Sequence, residues 1–307
     1  MEQRSAMAIS RPARLRTLLA LGRVSNLPTV WSNCLAGWIL AGGGPRERFL
    51  LLCVAASFLY MAGMYLNDAF DAEFDRQHRH ERPIPSGTIS RGAVWALGLI
   101  WLCLGLAATA LLSFRPWAEI IDPGRGKTTM MFGALLGAAI LVYDAVHKAF
   151  VLSPLLMAIC RFLLILLAAS AGFVGITGLS IWTAIVMAAY IVGLSYIARH
   201  ESIPTALRYW PCIFLAAPVV LALIVNRGSW MLKGVLFSTV LVVWIFQALR
   251  NAYWTGAKQV GRCVSGLLAG IVLVDLLSVA DAPPQMVLLF AALFALALLF
   301  QQFVPAT

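Results

Sequence analysis

The chain has 307 residues, of which 61% are hydrophobic and 12% charged, and its mean hydropathy is +0.87. A soluble domain carries about 25% charged residues, so this chain lacks the polar groups to cover a globule in water, and lipid is its implied solvent. The net charge of +10 comes without a charged run or low-complexity tail. That argues against nucleic acid as a partner and for anionic lipid and topology as its cause.

Residues 1–25 carry Arg4, Arg11, Arg14, Arg16 and Arg23. The apolar stretch Leu18–Leu21 is too short for the core of a signal peptide, so this segment is expected to be a basic cytoplasmic tail. A span needs about 20 apolar residues. Candidates fall at 26–43, 49–66, 91–113, 128–146, 150–174, 178–198, 209–226, 230–249, 262–280 and 284–303. Asp275 interrupts the ninth, and Pro283-Pro284 separates it from the tenth. The expectation is an all-α, polytopic bundle of nine or ten transmembrane helices, with residues 26–307 as a single membrane domain. The six cysteines lie in or beside apolar runs with no CxxC spacing, and read as small buried hydrophobes rather than a metal or disulfide framework.

With the N-terminus inside, fifteen Lys and Arg fall on that side against six on the other. The bias puts the N-terminus and the polar stretch 67–90 in the cytoplasm. The expected location is a bacterial cytoplasmic membrane.

Five of the 13 acidic residues, Asp68, Asp71, Glu73, Asp75 and Glu81, fall within residues 68–81. Asp68, Asp71 and Asp75 are spaced i, i+3, i+7, and Asn67 precedes Asp71 by four, so on a helix all four share one face. Carboxylates so arranged repel unless a cation lies between them. Hard oxygen donors without His or Cys suit Mg2+, which completes its shell with water and substrate phosphate. Diphosphate binding is the chemistry implied. The following stretch holds Arg76, Arg79 and Arg82, and arginine grips phosphate oxygens with a forked donor set. The positive-inside rule accounts for the same arginines.

Other polar groups mark the inside ends of later spans: Tyr143, His147 and Lys148 after the fourth, and Tyr196, Arg199 and Glu201 after the sixth. By topology, the ends of spans two, four and six can converge on one cavity. Arg161 and Asn33 lie inside spans, where a charge is expected to face the bundle interior and an amide to bond between helices.

The segment Asn67-Asp68-x-x-Asp71-x-x-x-Asp75-Arg76 resembles the first aspartate-rich motif of the UbiA superfamily of membrane prenyltransferases. Arg82-Pro83-Ile84-Pro85-Ser86-Gly87 is similar to the RPI-x-SG segment that follows it. Tyr143 to Lys148 resembles the Tyr-Pro-x-x-Lys-Arg segment after the fourth helix, with His147 in the lysine place and Lys148 in the arginine place. The resemblance implies Mg2+-dependent transfer of a polyprenyl group from its diphosphate to a small, often aromatic, acceptor, inside a helical bundle open to the cytoplasm and to lipid. It makes Asp68, Asp71 and Asp75 catalytic and, with Asn67, metal-holding. Diphosphate contacts are expected from Arg76, Arg82, Lys148 and Arg199, and a substrate cavity from Asn33, Tyr143, His147, Arg161, Tyr196 and Glu201. The sequence departs from the family at the end of helix six, where Ser195–Ser202 contains no aspartate and only Glu201 is acidic. That leaves a non-catalytic prenyl-lipid-binding protein as an alternative. A transporter using Arg161 and Asp275 is a second. A CDP-alcohol phosphotransferase is disfavoured by the missing Asp-Gly-x-x-Ala-Arg opening.

Overall fold

The structure, a computed structural model, describes residues 11–114, 123–148, 152–202, 208–254 and 259–306, less the side chains of 11–14, 123–125, 200–202 and 229. All regular elements among them are helical. In chain order they are α1 (Arg11–Leu21), α2 (Leu27–Leu40), α3 (Arg46–His78), α4 (Arg91–Ser113), α5 (Pro123–Val146) and α6 (Ser153–Ser170). There follow α7 (Gly178–Ser202), α8 (Pro211–Leu215), α9 (Ala217–Val225), α10 (Met231–Tyr253), α11 (Val260–Ser278) and α12 (Pro284–Phe303). Single 3-10 turns stand at Val24–Asn26 and Gly228–Trp230.

Among the described residues, eight helices are long and apolar enough to cross a membrane: α3 to α7 and α10 to α12. The two remaining expected spans are shorter. The first is α2, 14 residues, or about 21 Å at 1.5 Å per residue. The seventh is broken at Ala216, between α8 and α9. Pro218 is the cause, because it has no N–H for the carbonyl four residues back and its ring crowds that carbonyl. Asp275 does not interrupt its span. Helix α11 runs on past it to Ser278, because its carboxylate accepts bonds from Ser32 Oγ and from Asn33 Nδ2 at 2.7 Å.

Helix α3 has 33 residues and is about 50 Å long, against a hydrocarbon core of about 30 Å. The stretch 67–78 is therefore the end of a helix projecting past the membrane, and the expected polar loop shrinks to 79–90. Gly87, at φ +76°, supplies the left-handed turn there, and Ile84 tucks into the fold. Ser90 Oγ caps α4 by accepting from the Ala93 amide. Gly98 and Gly105, seven apart on one face of α4, let it lie against α3. A Cβ at Gly105 would stand 3.0 Å from the Leu59 backbone nitrogen and 2.7 Å from its Cγ. Small residues at such contacts let membrane helices approach closely.

The expected N-terminal tail is docked from Leu18 onward. Tyr65 Oη donates to Leu18 O at 2.9 Å, and Leu21 is buried beside Tyr65, Ala69 and Ala72. The last residues meet the first elements: Asn26 Nδ2 donates to Ala306 O at 2.9 Å, and Ser25 Oγ to Pro305 O at 3.3 Å. Leu232, Leu288 and Phe303 are among the many large apolar side chains left exposed, the outward face that lipid covers.

Gly105→Leu is expected to destabilise the protein by about 1–3 kcal/mol through overpacking. Gly92→Ala, with nothing near its Cβ position, is expected to leave stability unchanged. Thermal unfolding in detergent compares the two.

Candidate active site

One end of the bundle holds a cavity of about 640 Å³ walled by the 3-10 turn after α1, the end of α3, the 79–83 loop, the ends of α5 and α7, and the 305–306 segment. Three helix ends far apart in sequence thus meet, as the topology implied. Asn67, Asp68, Asp71, Arg82, Tyr143, His147, Lys148, Arg161 and Arg199 all line it. Its deeper wall is apolar, with Met64, Met157, Ile191, Leu194, Val264 and Leu268.

Asp68 and Asp71, two of the three acids on the wall, are matched by basic groups from other elements. Asp68 Oδ1 is 3.5 Å from Arg23 Nη2 and 3.9 Å from Arg82 Nη1. Asp71 meets His147 Nε2 at 3.1 Å and Lys148 Nζ at 3.1 Å. Lys148 also stands 4.3 Å over the Phe74 ring, and Tyr143 stacks on His147 at 4.9 Å. Buried carboxylates need such partners, since desolvation penalises an unpaired charge heavily. Burial works against the Arg23 charge, but Asp68, with smaller help from neighbouring Tyr60, Tyr143 and Asp71, outweighs it and holds the guanidinium above its ordinary value. In the 79–90 loop, burial and then neighbouring Arg23 pull the Arg82 guanidinium below its ordinary value. Both stay charged, because arginine starts above pH 12.

Arg23 is the one described non-glycine residue at positive φ, +40°. Such strain persists only where surrounding bonds fix it. Here Tyr60 Oη and the Asn26 amide both donate to Arg23 O, at 3.3 and 3.0 Å. Arg23 was not among the expected site residues. It read as part of a positive tail, and only the fold brings it to Asp68. Tyr60 and Asn26 also line the cavity and were hidden in the same way, and Arg79, one of the arginines of the stretch after the motif, lines it too.

Four expected site residues, Arg76, Asp75, Tyr196 and Asn33, are not on the cavity wall. Arg76 is exposed and pairs with Glu73 at 3.0 Å, because five residues after Asp71 put it about 140° round the helix. Asp75 is buried but one turn beyond the cavity, with one carboxylate oxygen unpartnered; Arg82 and Arg79 are the cations acting on it. Tyr196 packs edge-on against Trp210 at 4.6 Å. The Glu201 side chain lies outside the described residues. Asn33 is fully buried and works behind the wall. Its Oδ1 accepts from Arg161 Nη1 at 2.7 Å, while its Nδ2 donates to Asp275. Arg161 Nη2 adds a bond to Thr29 Oγ1 at 3.0 Å. The two intramembrane charges are therefore joined through one amide, with Asp275 fully buried, which does not resemble an ion path.

No three Asp, Glu, His or Cys side chains gather closely enough to cage a metal among the described residues. The donors nevertheless fit Mg2+, which takes one or two carboxylates and leaves its remaining positions to water and phosphate. Asp68, Asp71 and the Asn67 amide are hard oxygen donors on one wall, beside the orphaned carboxylate oxygen of Asp75.

Together these features define a multi-pass helical membrane protein with a mixed acid and cation cavity at one end of its bundle. Residues 27–259 match the UbiA prenyltransferase family, and the chain belongs to that family. It is similar to digeranylgeranylglyceryl phosphate synthases. That of Methanoregula boonei is 29% identical over 150 residues, covering 43% of this chain and 52% of the relative. That of Pyrococcus horikoshii is 31% identical over 134 residues, covering 39% and 47%. The chain thus spans about half the length of the relatives it matches. The fold is shared with a UbiA homologue from Aeropyrum pernix K1, with a TM-score of 0.62 at 18% identity over 84% of this chain and 97% of that one. It is shared too with one from Archaeoglobus fulgidus bound to GPP and Mg2+, with a TM-score of 0.54 at 16% identity over 94% and 97%.

Arg161→Leu leaves Asn33 Oδ1 without a donor and Asp275 without a countercharge, and is expected to cost about 3 kcal/mol. Adding Asp275→Asn is expected to restore part of the loss, a coupling read from thermal unfolding of the two single variants and the double.

Proposed function

We propose that this protein is an Mg2+-dependent prenyltransferase that moves a prenyl group from its diphosphate to a small acceptor. The observation that carries the reading is the pairing of Asp68 with Arg23 and Arg82, and of Asp71 with His147 and Lys148, drawn from three elements around one cavity. Carboxylates to hold a metal and guanidinium and ammonium groups to hold phosphate oxygens stand side by side there. The Archaeoglobus fulgidus homologue bound to GPP and Mg2+ lends the same chemistry to the shared fold.

Asp68, Asp71 and Asn67 would hold the metal, with Asp75 supporting from the turn beyond. Bound Mg2+ would supply positive charge against the departing diphosphate. Lys148, Arg23, Arg82, Arg79 and Arg199 line the same space and take up diphosphate oxygens. Lys148 neutralises Asp71 in the meantime, with His147 in contact beside it, so carboxylate repulsion across the pocket is reduced. The apolar wall of Met64, Met157, Ile191 and Leu194 receives the prenyl chain and excludes water, which would otherwise capture the allylic cation. The Tyr143 and Tyr60 rings at this wall offer their faces to that cation. The acceptor attacks C1 of the prenyl group as the carbon–oxygen bond to diphosphate breaks, and its proton leaves to water or a cavity base. The acceptor is either aromatic or, as the relatives' names suggest, a glyceryl phosphate; presenting both to purified protein decides. The site faces the cytoplasm on the charge bias of the loops.

The missing aspartate at the end of α7 favours the second reading, a prenyl-lipid-binding protein without turnover. Release of diphosphate from a labelled prenyl diphosphate separates the two.

Asp71→Ala is expected to lower transfer at least about 100-fold, the scale of removing one preorganised electrostatic group, with folding retained. Arg76→Ala, whose exposed pair contributes little, is expected to stay within about twofold of wild type. EDTA should stop the reaction and Mg2+ restore it. Full activity of Asp71→Ala, or indifference to chelation, would remove the metal assignment.

A further inference from the structure

Asp144 has no place in the site as described so far. It stands on α5, next to Tyr143, and is 3% exposed. Its Oδ1 accepts from Asn67 Nδ2 at 3.3 Å, while its Oδ2 has no hydrogen-bond partner among the described residues. It does not line the cavity, but Asn67 does.

We propose that Asp144 is a positioning residue that turns the Asn67 side chain so that its carbonyl oxygen faces the metal site. The inference rests on the metal-holding role of Asn67 proposed above. An asparagine amide has a donor end and an acceptor end. Its nitrogen has no lone pair free for a cation, so it ligates only through oxygen. Rotating the Asn67 amide by half a turn would set its oxygen, in place of its N–H donor, against the Asp144 oxygen that now accepts from it, and that buried hydrogen bond would be lost. With Asp144 behind it, the nitrogen is drawn inward and the oxygen is left for the cavity. The neighbouring acids cannot do this, since Asp71 is held by His147 and Lys148, and Asp68 by Arg23 and Arg82. Outer partners of this kind commonly alter metal affinity about 10- to 100-fold when removed.

The test is binding of Mn2+ to purified protein in detergent, measured by electron paramagnetic resonance with a prenyl thiolodiphosphate that does not ionise. Four proteins are compared: wild type, Asp144→Leu, Asn67→Asp, and the double variant. Asp144→Leu is expected to weaken Mn2+ at least about 10-fold. The double variant is expected to bind at least as tightly as Asn67→Asp, because a carboxylate has two equivalent oxygens and needs no orienting. Asp144→Ala replaces Asp144→Leu, alone and in the double, if the leucine does not fold, as judged by thermal unfolding without metal. Wild-type affinity in the Asp144 variant overturns the inference. So does an equal loss in the Asn67→Asp background, which would mean Asp144 acts through charge alone. A wild-type protein that binds no Mn2+ removes the metal reading and this inference together.

Discussion

The structure turns on keeping carboxylates buried at the end of a long apolar helix. Asp68 and Asp71 lie one turn apart towards the C-terminal end of α3, largely out of water. Two such charges would drive the wall of the cavity open or refuse to ionise. The fold answers by bringing Arg23 and Arg82 to one and His147 and Lys148 to the other. Those cations come from the turn after α1, the loop after α3 and the end of α5. Each element is thereby fixed to α3, and the charges that stabilise the site are the ones a diphosphate would use.

A second balance operates deeper in the bundle. Arg161 on α6 and Asp275 on α11 are tied through Asn33 and its neighbours on α2. A buried ion network of this kind stabilises little over an apolar core, but it penalises any other arrangement of the three helices. It also sets Arg161 at the cavity wall with its direction fixed by Thr29 and Asn33. The short helix α2 is thus less a span than a strut. Its polar side chains tie α6 to α11, while the 3-10 turn just before it meets the 305–306 segment.

Packing does the remaining work without chemistry. Gly98 and Gly105 bring α4 against α3, the 33-residue helix that carries the motif. Helix α12, in contrast, presents most of its surface outward, as expected for an element whose solvent is lipid. Rigid positioning of the site is therefore a property of α2, α3, α5 and α6, and the outer helices complete the enclosure.

Sequence alone determined that the chain lives in lipid, that it is helical throughout, and that Asn67, Asp68 and Asp71 share one face. Each follows from local information: apolar run length, charge scarcity, and the 3.6-residue repeat. It also determined that the ends of three spans lie on one side, since charge bias alternates along the chain. Which side chains meet there was decided only by tertiary structure. Arg76 looked like a phosphate ligand and Tyr196 like a cavity residue, but helix rotation and packing against Trp210 turned them elsewhere. Arg23 and Asp144 were given no part in the expected site, and contacts across 45 and 77 residues of sequence brought them to Asp68 and Asn67. Periodicity fixes the face of one helix relative to itself. It carries no information on how that helix is rotated against its neighbours, and rotation is what makes a site.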